Sequence, residues 1–299
     1  MSNFYIKQDC RLCGSKNIEI VLPLQKSPLC DAYLERQRKQ EFYDLNLCLC
    51  NECSFVQIDT VIDPETIYRD YIYVTKSSPG LQKHFKEYSA DVCNFLNLNE
   101  SNLTIDIGSN DGTLLSFFQQ KGHNVLGIEP SKKAANSANE NGIETLSEFF
   151  DKNLADLIVD QRGKASLITI NNLFANVENL NEFVGNIDTL LDDDGVLVIE
   201  SSYLLDMIDN MVFDFIYHEH LSYFSILPLV RFFEQFDMQL IHVHEVSTKG
   251  GSLRYYWARN SSKWRRSSNV EKLILRETKA KININKFKDY EKKVDNVKS

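Results

Sequence analysis

Ile105-Asp106-Ile107-Gly108-Ser109-Asn110-Asp111-Gly112-Thr113 decides the fold of this chain. An apolar, β-like run, Leu103–Ile107, stops at a glycine-containing turn. A helical pattern, Gly112–Lys121, begins directly behind it. Gly108 and Gly112 let the backbone turn sharply and let a ligand come close to it. A strand, a tight turn and a helix in this order form the first unit of a parallel α/β sheet. The turn is not the G-x-G-x-x-G of a dinucleotide site. It carries Asp106 at the strand end and Asp111 inside the turn, and two carboxylates there repel a pyrophosphate and attract an ammonium group.

Outward from the turn, β-rich and helical stretches alternate from about residue 80 to 240. Strands are expected at Asn124–Ile128, Ser166–Ile170 and Val196–Glu200, and helices at Lys132–Asn141 and Leu180–Leu191. Glu129 ends the second strand, 23 positions after Asp106. In sheets of this class an acid at that place accepts hydrogen bonds from ribose hydroxyls. An acidic loop beside a ribose acceptor suits S-adenosylmethionine. The expected cofactor residues are Asp106, Gly108, Asn110, Asp111, Gly112 and Glu129, with Phe150 packing on the adenine and Asn172 supplying an amide. Asn171-Asn172-Leu173-Phe174-Ala175-Asn176 follows the strand Ser166–Ile170, at the sheet edge where ligands bind.

The N-terminal 70 residues carry six of the seven cysteines. Cys10-Arg11-Leu12-Cys13 and Cys50-Asn51-Glu52-Cys53 are two C-x-x-C pairs. Each places two thiolates on one ion through a tight turn, and together they complete a tetrahedral Zn²⁺ site with no open position, hence a structural one. Cys48 lies close enough to compete as a ligand.

The net charge of −9 excludes nucleic acid as the main partner, because phosphate neutralisation needs a basic face. Lys263-Trp264-Arg265-Arg266 reads as a solvated face. No apolar run approaches the roughly 20 residues of a membrane span, and Met1–Lys7 lacks the apolar stretch of a signal peptide. A cytoplasmic protein with reduced cysteines is expected. Three regions follow: a zinc-binding domain over 1–70, a cofactor-binding domain over 71–240, and the start of an incomplete C-terminal substrate domain over 241–299.

Tyr217-His218-Glu219-His220 places two imidazoles, a carboxylate and a phenol in four positions. Such a cluster is costly to bury without a purpose. It lies downstream of the cofactor loop, where an α/β enzyme places substrate chemistry, and suggests proton abstraction.

Cys10/Cys13 with Cys50/Cys53 and Phe55-Val56-Gln57 form a set with Tyr68-Arg69-Asp70-Tyr71-Ile72-Tyr73 and the cofactor loop. Glu129-Pro130-Ser131, Phe215–Ser225 and Gly250-Gly251-Ser252-Leu253-Arg254 continue it. This set resembles the nucleotide-sugar C-methyltransferases of deoxysugar biosynthesis, over residues 10 to about 258. The resemblance implies an α/β protein: a Rossmann-like class I methyltransferase domain with a small N-terminal zinc-binding domain and a partial C-terminal α/β domain. It implies a nucleotide-diphosphate sugar as substrate, specifically a 4-keto-6-deoxy sugar. A base removes the proton beside the carbonyl, and the enolate takes the methyl group from S-adenosylmethionine. His220 is the implied base, Glu219 the group that binds a sugar hydroxyl or orients an imidazole, and Tyr217 and Tyr73 the donors to substrate oxygens. The family has a histidine where Asn176 stands; Asn hydrogen-bonds but does not shuttle protons. The family's C-terminal domain continues beyond Ser299, so a complementing C-terminal polypeptide is expected as a partner. Lys249 and Arg254 are candidates for the diphosphate. An O- or N-methyltransferase acting on a saccharide, or a cofactor-binding protein that has lost catalysis, fits the same motifs.

Overall fold

The computed structural model describes residues 3–30, 40–68, 75–98 and 100–298. Short strands β1 (Phe4–Ile6) and β5 (Thr60–Ile62) pair antiparallel. β2 (Ile18–Ser27), β3 (Tyr43–Cys50) and β4 (Val56–Ile58) form an antiparallel meander. Helix α1 (Pro64–Tyr68), a 3-10 turn (Thr75–Ser77) and α2 (Pro79–Leu96) lead out of this module. Ser78 caps α2 and Pro79 occupies its first turn, where a missing N–H does no harm.

The central sheet has seven strands in the order β12-β13-β10-β9-β6-β7-β8. They are β6 (Leu103–Ile107), β7 (Asn124–Ile128), β8 (Thr145–Leu146), β9 (Ala165–Asn171), β10 (Leu191–Ser202), β12 (Met238–Val246) and β13 (Ser252–Arg259). The four expected strands are the parallel core β6, β7, β9 and β10. Their near-continuous Val, Ile and Leu content reflects burial on both faces. α3 (Thr113–Gln119), α4 (Lys132–Glu140), α5 (Lys152–Arg162) and α6 (Leu180–Leu190) cover them. β6 is followed by a neighbour on each side, so the chain reverses its winding there. That reversal opens a crevice at the carboxyl ends of the strands.

A second core lies outside this sheet. It joins Leu47, Val56 and Ile58 of the N-terminal meander to Leu204 and Met207 of α7 (Leu204–Asp209) and to Leu221 and Tyr223. β11 (Ser222–Tyr223) adds to the meander as its fourth strand, pairing antiparallel with β4. Helices α8 (Ile226–Glu234) and α9 (Ser268–Ala280) pack near β12. α10 (Ile284–Lys298) lays Phe287, Tyr290 and Val294 on the second core. Residues 241–299, expected to begin a C-terminal domain, pack against both sheets. β12 and β13 complete the central sheet, and α10 covers the N-terminal one. The reason is burial: a small antiparallel sheet with one apolar face is not stable uncovered. No described helix is long and apolar enough to cross a membrane.

Candidate active site

A cavity of about 480 Å³ opens at the winding reversal and runs to the loop that carries the Tyr-His-Glu-His cluster. Within it β6 presents Asp106, which accepts hydrogen bonds from Thr169 Oγ1 (2.6 Å) and Asn171 Nδ2 (3.4 Å) on the neighbouring strand. Burial pushes the Asp106 carboxyl up to about 7, against those two bonds. Glu129 accepts the backbone N–H of Asn110 (3.0 Å) and of Ser131 (2.8 Å), one on each oxygen. The two bonds fix its orientation into the cavity, and burial raises its pKa. Gly108, Asn110, Phe150 and Asn172 also line the cavity. Phe150 is braced edge-on by Phe183, with ring centroids 5.4 Å apart.

Asp111 and Gly112 are corrections to the expected cofactor set: neither lines the cavity. Asp111 Oδ1 accepts from Thr113 N (3.2 Å) and Thr113 Oγ1 (2.5 Å), and Oδ2 accepts from Lys76 N (2.9 Å). Thr75 N likewise donates to Asn110 Oδ1 (3.0 Å). The loop's own side chains thus clamp the 3-10 turn that precedes α2 over the crevice. Gly112 stands at φ 74°, and a Cβ there would lie 2.9 Å from Ile143 Cγ2. Its role is the turn and the close approach of α4, and the spacing alone did not separate that from ligand contact.

The same cavity is lined by Tyr217, Glu219, His220 and Asn176. The Tyr217 hydroxyl lies 2.9 Å from His220 Nε2, and His220 Nδ1 lies 3.1 Å from the Phe215 carbonyl. A carbonyl only accepts, so Nδ1 carries the proton and Nε2 accepts from the phenol. Burial, with the Lys249 ammonium as a second cause, pulls the His220 pKa down to about 3. The imidazole is therefore neutral at physiological pH. Glu219 is buried. The Asn176 side-chain oxygen is buried without a hydrogen-bond partner among the described residues, a donor-seeking group at a cavity wall. Tyr73 lies outside the described residues.

His218 does not face the cavity. Its Nε2 lies 3.1 Å from the Asp44 carbonyl of β3, its ring packs edge-on against Tyr43, and burial lowers its pKa. The motif is thereby fastened to the N-terminal meander. The Leu221 carbonyl accepts from Ile58 N (3.0 Å) and from Arg11 Nη1 (3.4 Å), a buried guanidinium inside the first C-x-x-C pair.

Arg254 is also corrected. It is buried, ion-paired through Nε to Glu200 (2.9 Å) and stacked 3.8 Å over the Tyr88 ring, so it is not available to a diphosphate. Glu200 binds His84 Nε2 (2.6 Å) as well. Sequence reading missed this trio because its members come from α2, β10 and β13, and nothing local links them. Lys249 does line the cavity.

The four sulfurs of Cys10, Cys13, Cys50 and Cys53 all lie within 4.8 Å of one another. Two of the pairs, Cys10–Cys53 and Cys13–Cys50, stand at 3.6 Å. Four sulfurs on a tetrahedron about 2.3 Å from a zinc ion are about 3.8 Å apart, so the set fits zinc. Each pair is a knuckle closed by a backbone bond, Gly14 N to Cys10 O and Ser54 N to Cys50 O, both 2.9 Å. Cys48 stays outside the cluster, with its thiol 3.9 Å from the Asn46 carbonyl.

Comparison with known proteins agrees with this layout. Residues 10–68 match a family described as "Putative zinc binding domain", and residues 247–299 match one described as a C-methyltransferase C-terminal domain. The C-methyltransferase NovU of Streptomyces niveus is 29% identical over 249 residues, 82% of this chain and 59% of that protein. The chain thus spans less than two thirds of that relative's length. Among solved structures, magnesium protoporphyrin IX methyltransferase of Synechocystis with bound SAM is 15% identical, with a TM-score of 0.46 over 60% of this chain and 80% of that one. The plantazolicin methyltransferase BpumL with SAH is 13% identical, with a TM-score of 0.48 over 62% and 87%. Residues 81–243, more than half of the chain, match the family described as a methyltransferase domain, and the protein belongs to that family.

Proposed function

We propose that this protein C-methylates a nucleotide-linked 4-keto-6-deoxy sugar with S-adenosylmethionine. The observation that carries the reading is the single cavity that joins Asp106 and Glu129 to the Tyr217–His220 pair. Asp106 and Glu129 would hold the cofactor by its ammonium group and its ribose, with Phe150 against the adenine. When bound, the cofactor supplies an electrophilic methyl group. The chain's own work is then to make a carbon nucleophile. His220 Nε2 accepts the proton beside the sugar carbonyl. The Tyr217 hydroxyl that fills Nε2 shifts to a substrate oxygen. Asn176 accepts from a sugar hydroxyl with its unpartnered oxygen. The opposite charge that a buried imidazolium needs comes from the anion it creates and from Glu219.

The test is product analysis. Incubation with a nucleoside-diphosphate 4-keto-6-deoxyhexose and methyl-labelled S-adenosylmethionine is expected to give a methyl carbon bonded to carbon in the product NMR spectrum. A label bonded to oxygen, or no label transfer, overturns the proposal.

Asp106 gives this reading a pH signature. With its carboxyl pushed up to about 7, its negative charge appears only as pH rises through that value. Affinity for the cationic cofactor is expected to climb between about pH 6 and about pH 8, by at most about tenfold per unit, and then level off. Asp106→Asn flattens the curve. Calorimetric titration checks this, and a flat wild-type profile removes Asp106 from the cofactor site.

A further inference from the structure

We infer that Lys249 is a catalytic cation of this cavity, whose ammonium group receives the negative charge that collects on the substrate's carbonyl oxygen as the neighbouring carbon loses its proton. The inference rests on the methyl-transfer reading above and assigns a residue to its hardest step.

Lys249 lines the cavity with Tyr217, Glu219 and His220. Its Nζ lies 5.9 Å from the centre of the Phe215 ring, and the carbonyl of that same Phe215 holds His220 Nδ1. The cation and the base are thus set against one residue. Among the described residues, Nζ has no carboxylate within ion-pair distance. Glu200 and Glu219 act on it only through space. Burial draws the ammonium down to about 8, against those two acids, so it remains charged at neutral pH. An ammonium in a cavity wall with no paired carboxylate is open to an anion brought by the substrate.

The backbone holds it there under strain. Lys249 has φ 55° and ψ 32°, the left-handed region that ordinary residues avoid. The turn is pinned on both sides. Gly251 N donates to the Thr248 carbonyl (3.0 Å), and Asn210 Nδ2 donates to the Gly250 carbonyl (2.8 Å). Gly251 itself stands at φ 127°, packed so closely on Asp206 that a Cβ would lie 2.5 Å from it.

The position selects the enolate over the diphosphate. An ammonium near His220 weakens that base, since it disfavours the imidazolium. The arrangement is productive only if the same ammonium stabilises the other product of the proton transfer. The step balances. The C–H electron pair becomes the C=C bond, the carbonyl π pair moves to oxygen, and the proton goes to His220 Nε2. The new oxyanion is then met by the Lys249 N–H groups.

The experiment uses the full chain with a nucleoside-diphosphate 4-keto-6-deoxyhexose in deuterated buffer. Lys249→Met keeps the side-chain length and the same backbone strain. It is expected to lower the saturated rate of α-proton exchange by about 10²–10³-fold with KM within about threefold. Lys249→Arg, which restores the charge, is expected to recover most of that loss. An unchanged saturated rate in Lys249→Met overturns the inference. A loss confined to KM also overturns it and assigns Lys249 to the phosphates. Equal losses in Met and Arg show that the charge is not what matters. If the wild-type protein exchanges no α-proton, the underlying reading fails and takes this one with it. Exchange in the wild type with none lost in Lys249→Met removes Lys249 alone.

Discussion

His220→Ala is expected to stop α-proton exchange, with a loss of about 10²–10⁴-fold, while the affinity for S-adenosylmethionine holds. The two effects separate because His220 makes its hydrogen bonds to Tyr217 and Phe215 rather than to Asp106, Glu129 or the loop after β6. Truncation also leaves the Tyr217 hydroxyl and the Phe215 carbonyl with one partner fewer, so a stability loss of about 1–3 kcal/mol is expected beside the kinetic one. Exchange kinetics by NMR, calorimetric cofactor titration and a thermal melt read the three quantities. Exchange at the wild-type rate would remove His220 as the base. Loss of cofactor affinity would place the residue in a different role.

The second large effect is that of the metal. Cys53→Ser, or a strong chelator, is expected to abolish methyl transfer without touching any residue of the cavity. A structural zinc contributes on the order of 10–16 kcal/mol in small zinc-binding peptides, which matches or exceeds the roughly 5–15 kcal/mol by which whole proteins are stable. Without it the knuckles have little to hold them. Their loss reaches the Tyr217–His220 motif through three connections: the pairing of β11 with β4, the Arg11 bond to the Leu221 carbonyl, and the contact of His218 with Asp44. The core of the seven-stranded sheet takes in Cys10, Leu12, Cys50 and Phe55 of the knuckles at its margin but is built mainly from the sheet's own strands and helices, so the sheet is expected to keep cofactor binding. Zinc content, methyl transfer and cofactor affinity measured on one preparation decide the matter. Full transfer by zinc-free protein would show that the module does not support the site.

Much of the site was legible because its signals are local. The cofactor loop, Glu129 at the end of the next strand and the C-x-x-C pairs each state their chemistry within a few residues. The structure brings Asp106, Glu129, Asn176, Tyr217, Glu219 and His220 to one cavity. What stayed hidden depends on pairings between distant segments. Asp111 looked like a ligand because a carboxylate in a turn does so whether it meets a cofactor or the N–H groups of Lys76 and Thr113. Arg254 looked like a phosphate-binding cation because nothing near it announces Glu200 or Tyr88. The resemblance singled out His220, but no local signal showed that the fold turns His218 toward β3 and His220 toward the cavity. That the strands after 237 finish a sheet begun at Leu103 is likewise a pairing between distant segments, and no local signal announces it.

That the N-terminal meander is closed by β11 and covered by α10 has a consequence for how the chain matures. Residues 18–58 leave the ribosome early, yet their fourth strand arrives only with Ser222, and their covering helix only after Ile284. Most of the central sheet is synthesised in between. The first-made part of the molecule is therefore the last to be completed. Until then its open β4 edge and bare apolar face depend on the metal knuckles and on the cell's chaperones to keep them from other chains.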